Sequence, residues 1–315
     1  MEELLVNCLV ESSALTEVRS DALLEFIFPA AHPLLHQPTV LNAYLLGAKS
    51  LLGGRLVAFI LAEVYPHNNT VQLYSFYVDP AYRKQGIGRS LFLFFQDVLL
   101  HQKKVGSIGC EFDQSLPECA AFEKILLAAG WPQPYFYLLR CFFDMSQFNP
   151  PWFGKKLLLP AEVEIFPWEQ LTEKDKKNIK NKQAQGWFHS YLNPFQGKIP
   201  IEELNSLGMR FQGNLIGWCI THRVEKDLIR YTSLYTDPVF QGRAWGIALL
   251  QKSLEIQIEK SQTWALFDAQ VKEIDPTWVQ FIKKRLLPYA QKVERKKWVQ
   301  LYTHSSGILD CQNIL

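Results

Sequence analysis

Alternating apolar and polar residues predict two similar groups of β-strands, one in each half of the chain. In the first half the predicted strands are residues 44–52, 55–65 and 71–78. Gly53-Gly54 indicates a tight turn between the first two of them. In the second half the same order is predicted at residues 209–211, 215–224 and 228–236. Each group is therefore expected to form an antiparallel meander.

A helix is predicted directly after each meander. Four apolar residues at helical spacing indicate the first one: Ile87, Leu91, Phe94 and Val98. Beyond it we predict a strand, a helix that ends at Gly130 and a last strand, at residues 105–113, 117–129 and 135–144. The second half is expected to follow the same order at residues 264–271, 277–287 and 297–303.

A short repeat supports the division into halves. The sequence Ser75-Phe76-Tyr77-Val78-Asp79-Pro80 returns in the second half as Ser233-Leu234-Tyr235-Thr236-Asp237-Pro238. Asn149-Pro150-Pro151 and Gly154 interrupt any regular pattern between the two halves. We therefore predict two domains, residues 1–147 and residues 148–315.

Composition agrees with a globular protein of this kind. The chain has 315 residues, of which 48% are hydrophobic and 20% charged, and its net charge is +2. At roughly 150 residues a domain, the length also predicts two domains. The balanced charge argues against a general binder of nucleic acid or of membrane surfaces, so any anion site must be local.

Further features predict a cytoplasmic protein without a metal. Residues 1–18 contain glutamates but no basic segment typical of a secretory signal. No apolar run approaches the roughly 20 residues that span a bilayer. The six cysteines form no CxxC pair, which favours free thiols in a reducing compartment. His32 and His36 are separated by Pro33 and lack an acidic partner, which argues against a metal site.

One glycine-containing loop has the features of an anion-binding site. After the strand predicted at residues 71–78, the sequence Arg83-x-x-Gly86-x-Gly88 leads into the first helix. Glycines let the backbone approach a ligand, and the N–H groups at a helix start attract negative charge. Lys84 and Arg89 add positive charge. The glycines, the N–H groups and the positive charge together predict a diphosphate held by this loop. The pattern fits neither the Rossmann nor the Walker motif.

The sequence Val78-Asp79-Pro80-x-x-Arg83-x-x-Gly86-x-Gly88, with its strand and helix, resembles the acyl-CoA-binding motif of the GCN5-related N-acetyltransferase (GNAT) superfamily. Because of the repeat, the whole chain is similar to a tandem GNAT protein. The resemblance implies an α+β fold of two GNAT-like domains, each with a mixed, largely antiparallel twisted sheet flanked by helices. It also implies acetyl-CoA or another acyl-CoA as co-substrate.

The resemblance assigns binding roles residue by residue. Backbone amides near Phe76 or Val78 would face the oxyanion of the reaction. The coenzyme A pyrophosphate would lie on the loop, at Arg83, Lys84, Gln85, Gly86, Ile87, Gly88 and Arg89.

The acid and base are less evident. Many relatives carry a glutamate on the strand before the loop, whereas residues 71–78 contain no carboxylate. Glu111 on the next strand is our candidate base, with an exposed structural carboxylate as the alternative. Asp113 lies on the same strand, and Asp268 has a similar place in the second half.

The helix before Gly130-Trp131 lacks the tyrosine that usually serves as the acid. Protonation of the thiolate is left to Tyr135, Tyr137 or solvent.

The second loop departs from the motif in one of two ways. It can be aligned with an insertion, as Arg243-x-x-Gly246-x-Ala248, or without one, as Gln241-x-x-Ala244-x-Gly246. In both alignments Trp245 is expected to place a bulky side chain in the cradle. Whether this loop holds coenzyme A stays open.

The sequence therefore predicts an N-acyltransferase that moves an acyl group from acyl-CoA to a primary amine of a small molecule. One alternative is a non-catalytic acyl-CoA-binding protein. Another is an aminoacyl-tRNA-dependent transferase, against which the intact loop argues.

Overall fold

The computed structural model describes residues 5–10, 42–49, 56–155, 157–195, 199–270 and 280–302. For the first two ranges it describes the backbone alone.

Strands dominate the described part of the chain. They are β1 (Leu5–Val10), β2 (Asn42–Lys49), β3 (Leu56–Tyr65), β4 (Thr70–Val78), β5 (Ser107–Asp113), β6 (Tyr135–Asp144), β7 (Val163–Pro167), β8 (Leu207–Phe211), β9 (Asn214–Glu225), β10 (Leu228–Thr236), β11 (Trp264–Gln270) and β12 (Lys292–Tyr302). The longer helices are α1 (Ile87–Asp97), α2 (Cys119–Ala128), α3 (Glu173–Ala184) and α4 (Trp245–Glu259).

The chain forms two compact units. The first comprises Met1–Phe136 and Lys296–Leu315, and the second comprises Tyr137–Arg295. The contiguous halves predicted from the repeat differ from these units in the placement of two strands. Most of β6 belongs to the second unit, and most of β12 belongs to the first. The last strand of each half thus completes the sheet of the other unit.

In the first unit the strand order is β1-β2-β3-β4-β5-β12. Neighbouring strands are antiparallel except β4 and β5, which are parallel. The core lies between the sheet and α1, where Leu91 and Phe92 pack with Ile60 and Leu73. α1 is helical because its apolar residues recur every three or four positions.

The pairing of β12 with β5 depends on a glycine. Trp298 lies opposite Glu111 in the register, and its ring covers the neighbouring Gly109. A Cβ on Gly109 would come within 2.8 Å of that ring. Next to it, Val299 is 1% exposed in the core of the first unit. The glycine and the tryptophan therefore fix β12 against β5.

In the second unit the strand order is β6-β11-β10-β9-β8-β7. Here β10 and β11 are the parallel pair. Leu249 of α4 packs with Met209, Ile216 and Ile229 of the sheet. Each unit thus has a mixed, largely antiparallel sheet with helices, which confirms the predicted α+β fold class.

Predicted and observed elements agree closely where the apolar pattern is strong. Strands β6 and β10 have the predicted bounds, and β3, β4 and β5 differ by one or two residues. The helix predicted at residues 277–287 is described only from residue 280 and contains the helical turn Ile282–Leu286. Gly53-Gly54 lies outside the described residues. None of the helices in the described ranges has the length and apolar character needed to span a bilayer.

Replacing Val299 by alanine should destabilise the first unit. The loss of two buried methyl groups is expected to lower its free energy of unfolding by about 2 kcal/mol. The matched control is Val293→Ala in the same strand, because Val293 is 37% exposed. Urea denaturation, combined with hydrogen exchange at the amides of β5, measures the effect. Equal stability of the two variants would contradict the assignment of β12 to the core of the first unit.

Candidate functional site

In the first unit, β4 and β5 separate partway along their length. Their parallel pairing joins only Thr70–Leu73 to residues 107–110, although β4 continues to Val78. At the same point β4 contains a β-bulge against β3. Ser75 pairs with Leu61 and Leu73 pairs with Ala62, which leaves Tyr74 as the extra residue. The bulge therefore marks the start of a cleft between two neighbouring strands.

The backbone of β4 presents amides to this cleft. The Asp79 N–H donates to the carbonyl of Val57 on the β3 side, at 2.8 Å. Because N–H direction alternates along a strand, the amides of Val78 and Phe76 point to the opposite edge, from which β5 has separated. Phe76 and Val78, near which an oxyanion-binding amide was predicted, thus direct their amides to the side where β4 is no longer paired with β5.

The loop after β4 forms a cradle of backbone groups. The Asp79 carboxylate accepts a hydrogen bond from the Ala81 N–H at 2.9 Å, which fixes the turn Pro80–Tyr82. Gly86, at the N-cap of α1, has φ of +87°, and a Cβ there would meet nothing within 4 Å. The N–H groups of the first helical turn have no acceptor within the helix. The space beside Gly86 is therefore open to an anion.

Gly88 has a different role from Gly86. A Cβ at Gly88 would lie 3.2 Å from both the Phe76 ring and the Val78 side chain. Glycine at this position lets the first turn of α1 lie close to the end of β4. The helix N-terminus and the cleft amides are thereby held next to each other.

The charged residues of the loop divide into two kinds. Arg83 makes contacts within its own unit, since its Nε donates to the Val78 carbonyl and its guanidinium pairs with Glu118, both at 2.9 Å. Lys84 and Arg89 are exposed and form no ion pair within the described ranges. Gln85 is exposed as well, whereas the Ile87 side chain is buried in the core. Ile87 can therefore offer only its backbone to a ligand.

The candidate carboxylates occupy different environments. Glu111 lies on β5, beyond the last residue paired with β4, and is partly buried. The Asp113 carboxylate accepts hydrogen bonds from the N–H and hydroxyl of Ser115, both at 2.8 Å. Asp268 forms a bidentate pair with Arg140 at 2.8 and 2.9 Å. Asp113 and Asp268 are thus held in structural contacts, and Glu111 stays a candidate.

The tyrosines considered as proton donors lie at the start of β6. Tyr135, in the first unit, is 40% exposed, and Tyr137 belongs to the second unit.

The structure shows a polar cluster that the sequence pattern did not predict. Glu63 on β3 is 8% exposed, and its Oε2 accepts hydrogen bonds from the Tyr65 hydroxyl at 2.5 Å and the Tyr74 hydroxyl at 3.0 Å. The two hydroxyls are 2.7 Å apart. We call these three residues the Glu63 cluster. The signal for it in the sequence is a single acidic residue in the apolar strand β3.

Burial raises the pKa of both tyrosines. For Tyr65 the hydrogen bond to Glu63 adds to the effect. For Tyr74 the hydrogen bond to Tyr65 adds to burial, and the pKa lies well above its ordinary range. Both hydroxyls therefore stay protonated and act as donors to the carboxylate.

Ser75 lies beside Tyr74 in the bulge. Its side chain is buried, at 2% exposure, and its hydroxyl has no hydrogen-bond partner among the residues that the structure describes. A buried hydroxyl without a partner is costly. This one lies where β4 leaves β5.

The second loop follows the alignment without an insertion. Ala244 stands at the N-cap of α4 with φ of +62°, as Gly86 does for α1. The Gln241 side chain donates to the Thr236 carbonyl at 3.0 Å, as Arg83 does to Val78. A Cβ at Gly246 would lie 2.8 Å from the Thr236 hydroxyl. Gly246 is therefore the counterpart of Gly88.

The expectation that Trp245 fills the second cradle is wrong. Its side chain is 5% exposed and packs inside the unit, stacked on Phe240 with 5.3 Å between ring centroids. Trp245 is the first helical residue, and its counterpart Ile87 is buried in the same way. The side chain of this position points to the core because the helix begins in the same orientation in both units.

The second unit repeats the bulge with other chemistry. Strand pairing makes His222 the counterpart of Glu63 and Thr232 the counterpart of Tyr74, and their side chains hydrogen-bond at 2.7 Å. Burial, together with Arg230, lowers the pKa of His222. Ser233, the counterpart of Ser75, accepts from the Trp218 indole at 2.9 Å and donates to the Leu192 carbonyl at 2.7 Å.

Metal ligands do not come together in the described ranges. No group of three histidine, cysteine, aspartate or glutamate side chains there could hold an ion. His32 and His36 lie outside those ranges.

Comparison with known proteins gives a family match for the first half. The model described as "Acetyltransferase (GNAT) family" matches residues 16–126. No curated protein shows a significant match to the chain.

Solved structures share the fold at low sequence identity. A GCN5-related N-acetyltransferase from Sphaerobacter thermophilus is 13% identical, with a TM-score of 0.58, over 87% of this chain and 86% of that chain. A tandem GNAT protein from the clavulanic acid biosynthesis pathway is 14% identical, with a TM-score of 0.56, over 97% of this chain and 100% of that chain. Both likenesses concern the fold alone.

Acidification should destabilise the second unit through His222. A folded-state pKa below the ordinary value of about 6.5 means that the unfolded chain binds more protons near that pH, so stability rises with pH. We expect the free energy of unfolding to fall between pH 7.5 and pH 5.5, and to fall less in His222→Gln. Urea denaturation at the two pH values measures this. His189→Gln, at an exposed histidine of the same unit, is the control. An equal fall in the His222 variant would contradict the prediction.

Proposed function

We propose that the chain is an N-acyltransferase, because the acetyltransferase (GNAT) family model matches residues 16–126. The donor is acetyl-CoA or another acyl-CoA, bound by the first unit. The acceptor is the primary amine of a small molecule. The family supports acyl transfer from acyl-CoA, and the choice of acceptor is our own inference.

The observation that carries the proposal is the open cradle at Gly86. Its positive φ and the empty space beside it leave the first-turn amides of α1 accessible. Lys84 and Arg89 are exposed near these amides. Such a helix start favours a diphosphate through its N–H groups and its dipole. Gly88 holds this start against β4, so a ligand on the cradle can extend into the cleft.

The cleft supplies the requirements of acyl transfer. A developing oxyanion is stabilised by N–H groups already in place, and the amides of Phe76 and Val78 point there. The ends of β4 and β5 are parted only in this region, which leaves room for the arm of the thioester. Positioning of donor and acceptor in one cleft contributes much of the rate in such reactions.

A small acceptor fits the composition of the chain. The net charge of +2 argues against a general binder of charged peptides or of nucleic acid. We also infer a cytoplasmic location, which is supported by four described cysteines that are free and buried.

A non-catalytic acyl-CoA-binding protein is the second candidate. It is favoured by the absence of a carboxylate from β4, where relatives carry their base. The two candidates differ in one measurement, the amine-dependent release of free thiol from acetyl-CoA. Release above the uncatalysed rate supports the transferase, and binding without release supports the alternative.

Replacing Gly86 by alanine should lower the affinity for acetyl-CoA by more than about 10-fold, because the new methyl group enters the cradle. Isothermal titration with acetyl-CoA measures this. Gly130→Ala is a matched control, since Gly130 also has a positive φ, at +81°, and open space around it. Unchanged affinity in the Gly86 variant would remove the loop from the site.

We expect one acetyl-CoA per chain. Ala244 carries a methyl group at the N-cap position where Gly86 has none. Native mass spectrometry of the chain with acetyl-CoA counts the bound molecules, and Gly86→Ala should abolish the single occupancy. Two bound molecules would show that the second loop is also a coenzyme A site.

A further inference from the structure

We propose that the Tyr74 hydroxyl receives a proton from the ammonium group of the acceptor and passes its own proton to Glu63. Tyr74 is thus a catalytic residue, and Glu63 is the positioning residue behind it that stores the proton. This inference rests on the proposed function and supplies the acid–base group that β4 lacks.

The first support is the location of the Glu63 cluster. Tyr74 is the bulge residue at the point where β4 leaves β5, two positions before Phe76. It is only partly buried, whereas Glu63 is 8% exposed. Along the strands, Tyr74 is therefore the member of the cluster that lies nearest to the cleft amides.

The second support is the chemistry of the cluster. A buried carboxylate is costly unless hydrogen bonds satisfy it, and here two hydroxyls converge on one oxygen. A negative charge at this place attracts an ammonium group. The elevated tyrosine pKa values keep both hydroxyls protonated, so Tyr74 can take up one proton and pass its own to Glu63 without becoming a tyrosinate.

The groups that face Glu63 are few in the described part of the chain. They are Tyr65 from its own strand and Tyr74 from β4. His67 contacts the edge of the Tyr65 ring, with 6.1 Å between centroids.

The repeat provides an internal comparison. In the second unit the hydroxyl of Ser233 is fully hydrogen-bonded, because it accepts from the Trp218 indole and donates to the Leu192 carbonyl. Strand pairing makes Phe59 the counterpart of Trp218, and phenylalanine offers no donor. Ser75 is accordingly left without a partner among the described residues. The first unit thus keeps an unsatisfied hydroxyl beside an acidic cluster, as expected of a site that receives a polar ligand.

The reaction begins with transfer of a proton from the ammonium group. The ammonium gives one proton to the Tyr74 oxygen, whose own proton moves to Glu63 and makes it a neutral carboxylic acid. The amine lone pair then forms the C–N bond with the thioester carbonyl carbon. The C–S bond breaks with its electron pair on sulfur, and the thiolate takes the second proton from nitrogen. Glu63 returns its proton to solvent.

Two acceptors of different basicity test this role. n-Butylamine is an ammonium ion at pH 7.5 and needs a base, whereas hydroxylamine is already neutral there. For Glu63→Gln we expect kcat/KM with n-butylamine and acetyl-CoA to fall about 100-fold, a typical loss for general base catalysis. The rate with hydroxylamine, after subtraction of the uncatalysed reaction, should fall less than about threefold by the same reasoning. Tyr74→Phe should behave in the same way.

The pH profile adds a readout that a purely structural role would not change. Raising the pH toward the pKa of n-butylamine supplies neutral amine, so the deficit of Glu63→Gln should shrink steadily. Glu225→Gln and Tyr302→Phe, both at exposed positions, are the matched controls and should keep wild-type rates. Unchanged acetyl-CoA affinity in each variant shows that the first unit is folded.

Each outcome decides the matter. Equal losses with both amines, or no loss with either, would overturn the inference while the proposed function stands. Loss with n-butylamine alone in Glu111→Gln, with Glu63→Gln unaffected, would assign the base to Glu111 instead. If the wild-type chain transfers the acetyl group to neither amine, the proposed function itself would be overturned. If Glu63→Gln does not fold, Tyr74→Phe gives the same comparison.

Discussion

The first unit depends on one constraint, the end of the parallel pairing between β4 and β5 at Leu73. A bulge of one residue lets β4 separate from β5 while its apolar side chains still reach the core. Val71 and Leu73 face α1 before the bulge, and Phe76 and Val78 face it afterwards, so the extra residue shifts the alternation by one. Without Tyr74 as an insertion, the end of β4 could not both pack against α1 and turn free amides toward the cleft.

The two units share these backbone features but differ in the side chains that they carry there. Both have a bulge, diverging parallel strands and a left-handed N-cap residue before the following helix. In the second unit, an alanine stands at the N-cap, and tryptophan and serine side chains tie the bulge to the Leu192 carbonyl. Internal hydrogen bonds thus satisfy Ser233, whereas its counterpart Ser75 has no hydrogen-bond partner among the described residues. The two copies thus share backbone geometry and differ in the side chains at the bulge and at the helix start.

Most of the fold followed from local patterns, and the failures have physical reasons. The strand β7 and the helix α3 were not predicted. α3 buries only Asp175 and Ile179, so it has no apolar periodicity, and its N-terminus is instead fixed by a capping box between Thr172 and Asp175. The exchange of β6 and β12 depends on pairing between residues far apart in sequence, which no local pattern encodes.

The features of the candidate site also divide into those that local sequence predicts and those that it does not. The glycine geometry of the loop before α1 was predictable because the backbone there demands glycine, and glycine is visible in a sequence. The placement of Glu111 on β5 was also predictable, and its role stays a prediction. The Glu63 cluster was not, because its hydrogen bonds join β3 to the bulge of β4 and depend on a register that only the structure defines.

The exchange of last strands has a consequence for biosynthesis. The sheet of the first unit is completed by residues 296–302, which are translated after the whole of the second unit. Domains of a nascent chain usually fold in order as they leave the ribosome. Here β5 gains its neighbour β12 only after the second unit has been synthesised, so the sheet of the first unit is completed after that of the second.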